Sequence, residues 1–248
     1  MSSTSRLTSL SVLFAGLVAA GCSSSQVARR PAQAAVGPGP CALVAVRVPR
    51  PWYAPRFVVR GKFRDAVPEY ESIGPLLAKY FTISDDGQFG GLYLWATRAD
   101  AERHFDAKWR ADVRQRRGAD AEVVILDAPY VVNGPALPRG APTGTRSQVF
   151  PAWASLVRWE VGAGDRVALA AEQLSRATWY GPELARGFVV TGAGEVGLAA
   201  IWTTRVAAER AASEAVRASV GASLGATTSS AALFEAPVLV DASLRTAN

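Results

Sequence analysis

Two phenols, a hydroxyl and an indole stand at alternate positions in the neighbouring apolar stretches LLAKYFTIS (76–84) and FGGLYLWA (89–96): Tyr80, Thr82, Tyr93 and Trp95. Successive side chains of a strand point to opposite faces, so these four read as one face. Phe81, Ile83, Leu92 and Leu94 read as the other, a core packed under helices. A face of this composition suits a flat, mostly apolar ligand held by ring contacts and oriented by hydroxyls. The alternative is that the rings simply fill a core. Arg47 and Arg158, near the ends of equivalent strands, are candidates for a ligand carboxylate or enolate, or else surface charges. His104 is the only histidine. It flanks a helical apolar stripe and is a weak candidate for a catalytic base or haem ligand, against the reading of a solvated surface residue.

Other chemistries lack their parts. One histidine and the two cysteines, Cys22 and Cys41, do not make a usual zinc site. GAGEVG (192–197) falls at a turn and opens no helix, as a dinucleotide fingerprint must. The expectation is no metal and no cofactor. Cys41 opens the apolar run CALVAVRV and reads as a small packed hydrophobe.

The elements that must position these residues follow from periodicity. LVAVRV reads as a strand and FRDAVPEYESI as a short helix interrupted by Pro68. The two stretches above read as strands joined by Asp85-Asp86-Gly87-Gln88, a hairpin signal. Thr97 then caps a helix, with Asp100 three residues on, and Ala101, Phe105, Trp109 and Val113 form its apolar face. AEVVILDAPYVV closes as a strand. The order is βαββαβ, the ferredoxin-like unit.

A second copy follows. Residues 74–103 align without a gap on 181–210, with thirteen of thirty positions identical, among them Trp95/Trp202 and Arg98/Arg205. Tyr80 and Tyr93 then fall on Gly187 and Ala200, so a pocket is expected in the first copy alone. The predicted fold is α+β: tandem ferredoxin-like repeats, 41–133 and 151–241, joined by a Gly/Pro linker (134–150). Packed sheet to sheet, they make an intrachain dimeric α/β-barrel pseudodimer, monomeric as a chain.

The string KYF…DG…GG.YLW..R..AE resembles the dimeric α/β-barrel superfamily, in particular the monooxygenases related to the antibiotic-biosynthesis monooxygenases. The resemblance covers about 60–135 and, more loosely, the second copy. It implies binding or cofactor-independent oxidation of an aromatic small molecule; the residues read above from strand position, Tyr80, Thr82, Tyr93, Trp95 and Arg47, would then surround the ligand. The alternative is a non-catalytic envelope protein that binds a ligand or supports a complex.

The N-terminus indicates where this happens. Arg6, an apolar run to Ala20 and then Gly21-Cys22 resemble a lipoprotein signal peptide (1–21) with Cys22 as the acylated residue. Residues 22–40 read as a flexible tether and 242–248 as a tail. The expected location is the bacterial cell envelope, lipid-anchored, with the outer membrane favoured where two membranes exist. The net charge of +6 does not point to nucleic acid: 41–133 and 151–241 carry 21 basic and 21 acidic side chains between them, and the surplus lies in signal, tether, linker and tail.

Overall fold

The computed structural model describes residues 33–35, 41–49, 54–137, 147–148, 152–177 and 180–241. The signal peptide, Cys22 and the tail lie outside them. In chain order the elements are β1 (Gln33–Ala35), β2 (Cys41–Pro49), α1 (Arg56–Glu71), β3 (Leu76–Ser84), β4 (Gln88–Trp95), α2 (Arg98–His104), α3 (Ala107–Arg117), β5 (Glu122–Asn133) and β6 (Ser147–Gln148). They continue as β7 (Ala152–Glu160), α4 (Asp165–Ser175), β8 (Leu184–Gly192), β9 (Glu195–Trp202), α5 (Arg205–Ala212), α6 (Glu214–Leu224) and β10 (Thr228–Asp241).

Eight of these strands form one antiparallel ring in the order β5-β2-β4-β3-β10-β7-β9-β8, closed by pairing of β8 with β5. This corrects the expectation of tandem ferredoxin-like repeats packed sheet to sheet as a pseudodimer. The molecule is a single closed eight-stranded barrel with six described helices outside it. Two facing sheets would each leave strand edges with unpaired N–H and C=O groups. Here Phe234 to Asp241 of β10 run along β3, and Asp127 to Asn133 of β5 run along β8, so those edges are hydrogen-bonded.

The barrel interior is packed with apolar side chains. A single apolar cluster draws on all eight ring strands, with Leu43, Tyr80, Leu92, Phe188, Ile201 and Phe234 among its members. Outside the wall, α1 lays Val59, Phe63 and Val67 on Phe81, Ile83, Val238 and Val240. Ala101 of α2, Phe105 at its C-cap and Val113 of α3 cover β2 and the outer residues of β4. In the C-terminal half, Ala170 and Leu174 of α4 with Ala207 and Ala211 of α5 cover Trp159 and Trp202.

Local rules explain the helix ends. Thr97 accepts the Asp100 N–H at 3.1 Å, as its spacing predicts. The long helix expected after it is broken in two, because Asp106 accepts the Trp109 N–H at 2.8 Å and starts α3 afresh. Pro68 does not interrupt α1, which runs through it to Glu71. Proline in the last turn removes one hydrogen bond near an end already short of partners.

Candidate functional site

The face assignment drawn from alternation is corrected by the hairpin register. Tyr80 stands opposite Leu92 and Lys79 opposite Tyr93. Tyr80 and Thr82 therefore share the inner face with Leu92 and Leu94, whereas Phe81, Ile83, Tyr93 and Trp95 face outward under the helices. The four candidates do not form one pocket wall. Tyr80 meets Phe188 across the barrel interior, ring centroids 6.0 Å apart.

The gap-free alignment slips in the same place. Ala96 donates to the Pro75 carbonyl and Thr203 to that of Glu183, so the β8 end is displaced by one residue from the aligned position. The hairpin between β8 and β9 is one residue shorter than that between β3 and β4. By strand position Tyr80 matches Phe188, Lys79 matches Gly187, and Tyr93 matches Ala200.

The N-terminal half holds a cavity of about 430 Å³ between α1, α3 and the outer wall. Phe63 and Tyr70 of α1, Phe81, Tyr93, Phe89 and Trp109 supply ring surface to it. His104, from the end of α2, also lines it. Tyr93 packs edge-on against Phe105 (5.2 Å) and Tyr70 (5.9 Å). The Tyr70 and Tyr93 hydroxyls lie near enough to influence each other's ionisation. Burial pushes the Tyr93 phenol well above its ordinary range and, less strongly, that of Tyr70.

At the floor lies Lys79, 2% exposed. Its Nζ sits 3.0 Å from the Tyr70 ring centroid, 3.9 Å from Phe81 and 4.5 Å from Tyr93. Among the described residues it has no ion-pair or hydrogen-bond acceptor. A ring face attracts a desolvated ammonium by about 2 kcal/mol or more, and stripping it of water costs several kcal/mol. Burial accordingly pushes the amine well below the usual lysine value, with Glu69 opposing. An amine so placed can take a proton from a bound hydroxyl. His104 is also lowered, by burial first and then by Lys79; neutral imidazole suits it for hydrogen bonding at the cavity edge.

The remaining candidates fall elsewhere. Trp95 lies under α2, with its ring 4.8 Å from that of His104, and its buried indole N–H has no acceptor. Arg47 is held by Asp86 (3.2 Å) and Glu122 (3.6 Å), and Arg158 by Glu195 (3.4 Å), near the turn ends of their strands. Cys41 is half-buried, and burial raises its thiol. Sequence reading passed over Lys79, Tyr70 and Phe81. The available signal was a lysine in the middle of an otherwise apolar strand.

Fold and cavity together define a closed antiparallel barrel with a ring-lined recess between its helices and its outer wall. No family model matches the sequence, and no characterised protein matches it. Among solved structures the chain is similar to a candidate monooxygenase from Fusobacterium nucleatum subsp. nucleatum, with a TM-score of 0.56 and 8% identity over 82% of this chain and 94% of that one. A candidate monooxygenase from Lactobacillus acidophilus NCFM aligns at a TM-score of 0.49 and 10% identity, covering 83% and 97%. At such identities the likeness is one of fold.

Proposed function

We propose that this chain binds an electron-rich aromatic molecule between α1, α3 and the barrel wall and oxidises it with O₂, the electrons coming from the substrate itself. The observation that carries this reading is the buried Lys79 amine, without an acceptor, among the rings of Tyr70, Phe81 and Tyr93. Its Nζ takes the proton of a ring hydroxyl, and the resulting phenolate transfers electrons to O₂. In the monooxygenase form of the reaction a ring CH₂ becomes C=O. One oxygen atom stays in the ketone and the other leaves as water with the two hydrogens. The fold shared with the Fusobacterium protein supports the reading.

Oxygen uptake with a panel of electron-rich phenols and quinols tests it. Lys79→Met is expected to slow turnover by about 10²–10⁴-fold, the usual contribution of a general base. Equal rates in wild type and variant would sink the assignment; tight binding without oxygen uptake would favour a ligand-binding envelope protein. The same reading places the enzyme at the cell envelope through acylated Cys22. A clickable fatty acid should label the wild type and leave Cys22→Ser unlabelled.

A further inference from the structure

The geometry points to an acidic ligand: an aromatic ring bearing an oxygen group that is ionised in the complex and paired with Lys79 Nζ. This rests on the aromatic-site reading above and narrows it. The amine is a buried polar group of the cavity lining, 2% exposed, and no side chain among the described residues offers it an acceptor. A donor facing a cavity without a protein acceptor leaves hydrogen bonding unmet, and an anion entering the cavity supplies the missing partner. The entrance favours the same charge. Arg116 and Arg117 of α3 and Lys62 of α1, the last paired with Asp65 at 3.3 Å, are exposed on the lining, against one lining carboxylate, Glu69.

Every other titratable group facing the amine is weaker in that role. Tyr70 and Tyr93 present ring faces and neutral phenols, and Glu69 acts from the exposed side of α1 without an ion pair to it. His104, from α2, contributes no negative charge. A carboxylate arriving beside Lys79 therefore draws a proton onto the amine, because burial alone holds it below the ordinary lysine range.

The test uses 2-naphthoate and its neutral isostere naphthalene-2-carboxamide, titrated calorimetrically into the full chain at pH 8 in two buffers of different ionisation enthalpy. The carboxylate is expected to bind about 10–100-fold tighter, the effect of one charge-assisted hydrogen bond, with uptake of up to about one proton. Lys79→Met should lose the preference and the proton uptake. Its thermal melt checks that it folds, and the wild-type comparison of the two probes stands without it. Equal affinity for both probes, or a preference that survives in Lys79→Met, overturns the acidic ligand while leaving the aromatic site in place. Failure of both probes to bind overturns the aromatic site, and this inference with it.

Discussion

The outer layers of the two halves answer the same packing problem differently. Around β8 and β9 the wall carries Gly187, Leu198 and Ala200, and Ala211 of α5 lies above them. The corresponding positions around β3 and β4 carry Lys79, Gly91, Tyr93 and His104. In the C-terminal half Leu198 fills the space that Gly187 leaves open, and the two buried indoles among the described residues are satisfied. Trp202 donates to the Ser155 hydroxyl at 2.9 Å and Trp159 to the Arg217 carbonyl at 2.9 Å. In the N-terminal half Gly91 leaves room for Lys79 and Tyr93, and Val44 stands where Ser155 would accept from Trp95. The C-terminal half also has a cavity, of about 460 Å³, lined by Tyr180, Trp202 and residues of α5 and α6. Its one charged lining group, Arg210, is already paired with Glu183 at 3.2 Å. The difference teaches that volume alone does not mark a site. Unspent polar groups facing volume do, and among the described residues Lys79 is the clearest.

The comparison breaks most readily at Leu198. If that half is filled core, Leu198→Ala should cost about 2–5 kcal/mol in urea unfolding. A loss below about 1 kcal/mol would mean the C-terminal layer is as loosely filled as the N-terminal one.

Lys79→Met should raise stability at neutral pH by roughly 1–4 kcal/mol, since it removes a buried amine without a partner. The sign with pH follows from the lowered folded value. Between that value and about 10.4 the unfolded chain binds more protons than the folded one, so wild-type stability rises with pH. The gap between Lys79→Met and wild type should therefore narrow from pH 7 to 9.5. A constant gap would show that folded Lys79 keeps its proton across that range, as the unfolded chain does.

Gly91→Leu imitates Leu198, and its Cβ would come within 3.0 Å of the Tyr93 ring and 3.4 Å of the Lys79 stem. The expected cost is about 1–3 kcal/mol from overpacking, with loss of naphthalene-2-carboxamide binding. Adding Lys79→Gly, which restores the Gly187/Leu198 pairing, should recover part of the stability in a double-mutant cycle. Strict additivity would deny that the two positions trade volume.

The smallest effects concern the indoles. Ser155→Ala leaves Trp202 as unpartnered as Trp95 and should cost about 1 kcal/mol. Val44→Thr offers Trp95 an acceptor and should change stability by less than about 1 kcal/mol. If both substitutions gave the same loss, the contrast between satisfied and unsatisfied indoles would carry no energy.

Much of the chain was legible before folding. The strand at 76–84 matches β3, and the stretch at 89–96 matches β4 to within a residue, because apolar runs bounded by a hairpin signal have few other uses. The Thr97 cap was readable from spacing alone. Tyr93 and His104 were singled out and do line the cavity. The break of the helix at Phe105 was less visible, since the apolar stripe continues through it while Asp106 caps a new helix.

By itself, then, the sequence determined the order of elements, their caps, and an aromatic first half set against an alanine-rich second. Only the tertiary structure decided which face of each strand turns inward, because the pleat has a period of two and a shift of one residue inverts every side chain. The shorter β8–β9 hairpin supplies such a shift, which put Phe188 opposite Tyr80 rather than beside Phe81. Closure was likewise decided in three dimensions. The edges that meet, β3 with β10 and β5 with β8, lie far apart in the chain, and no local pattern states which strand satisfies their open hydrogen bonds. Lys79 became a buried amine only when register set it opposite Tyr93 and closure brought α1 down over it.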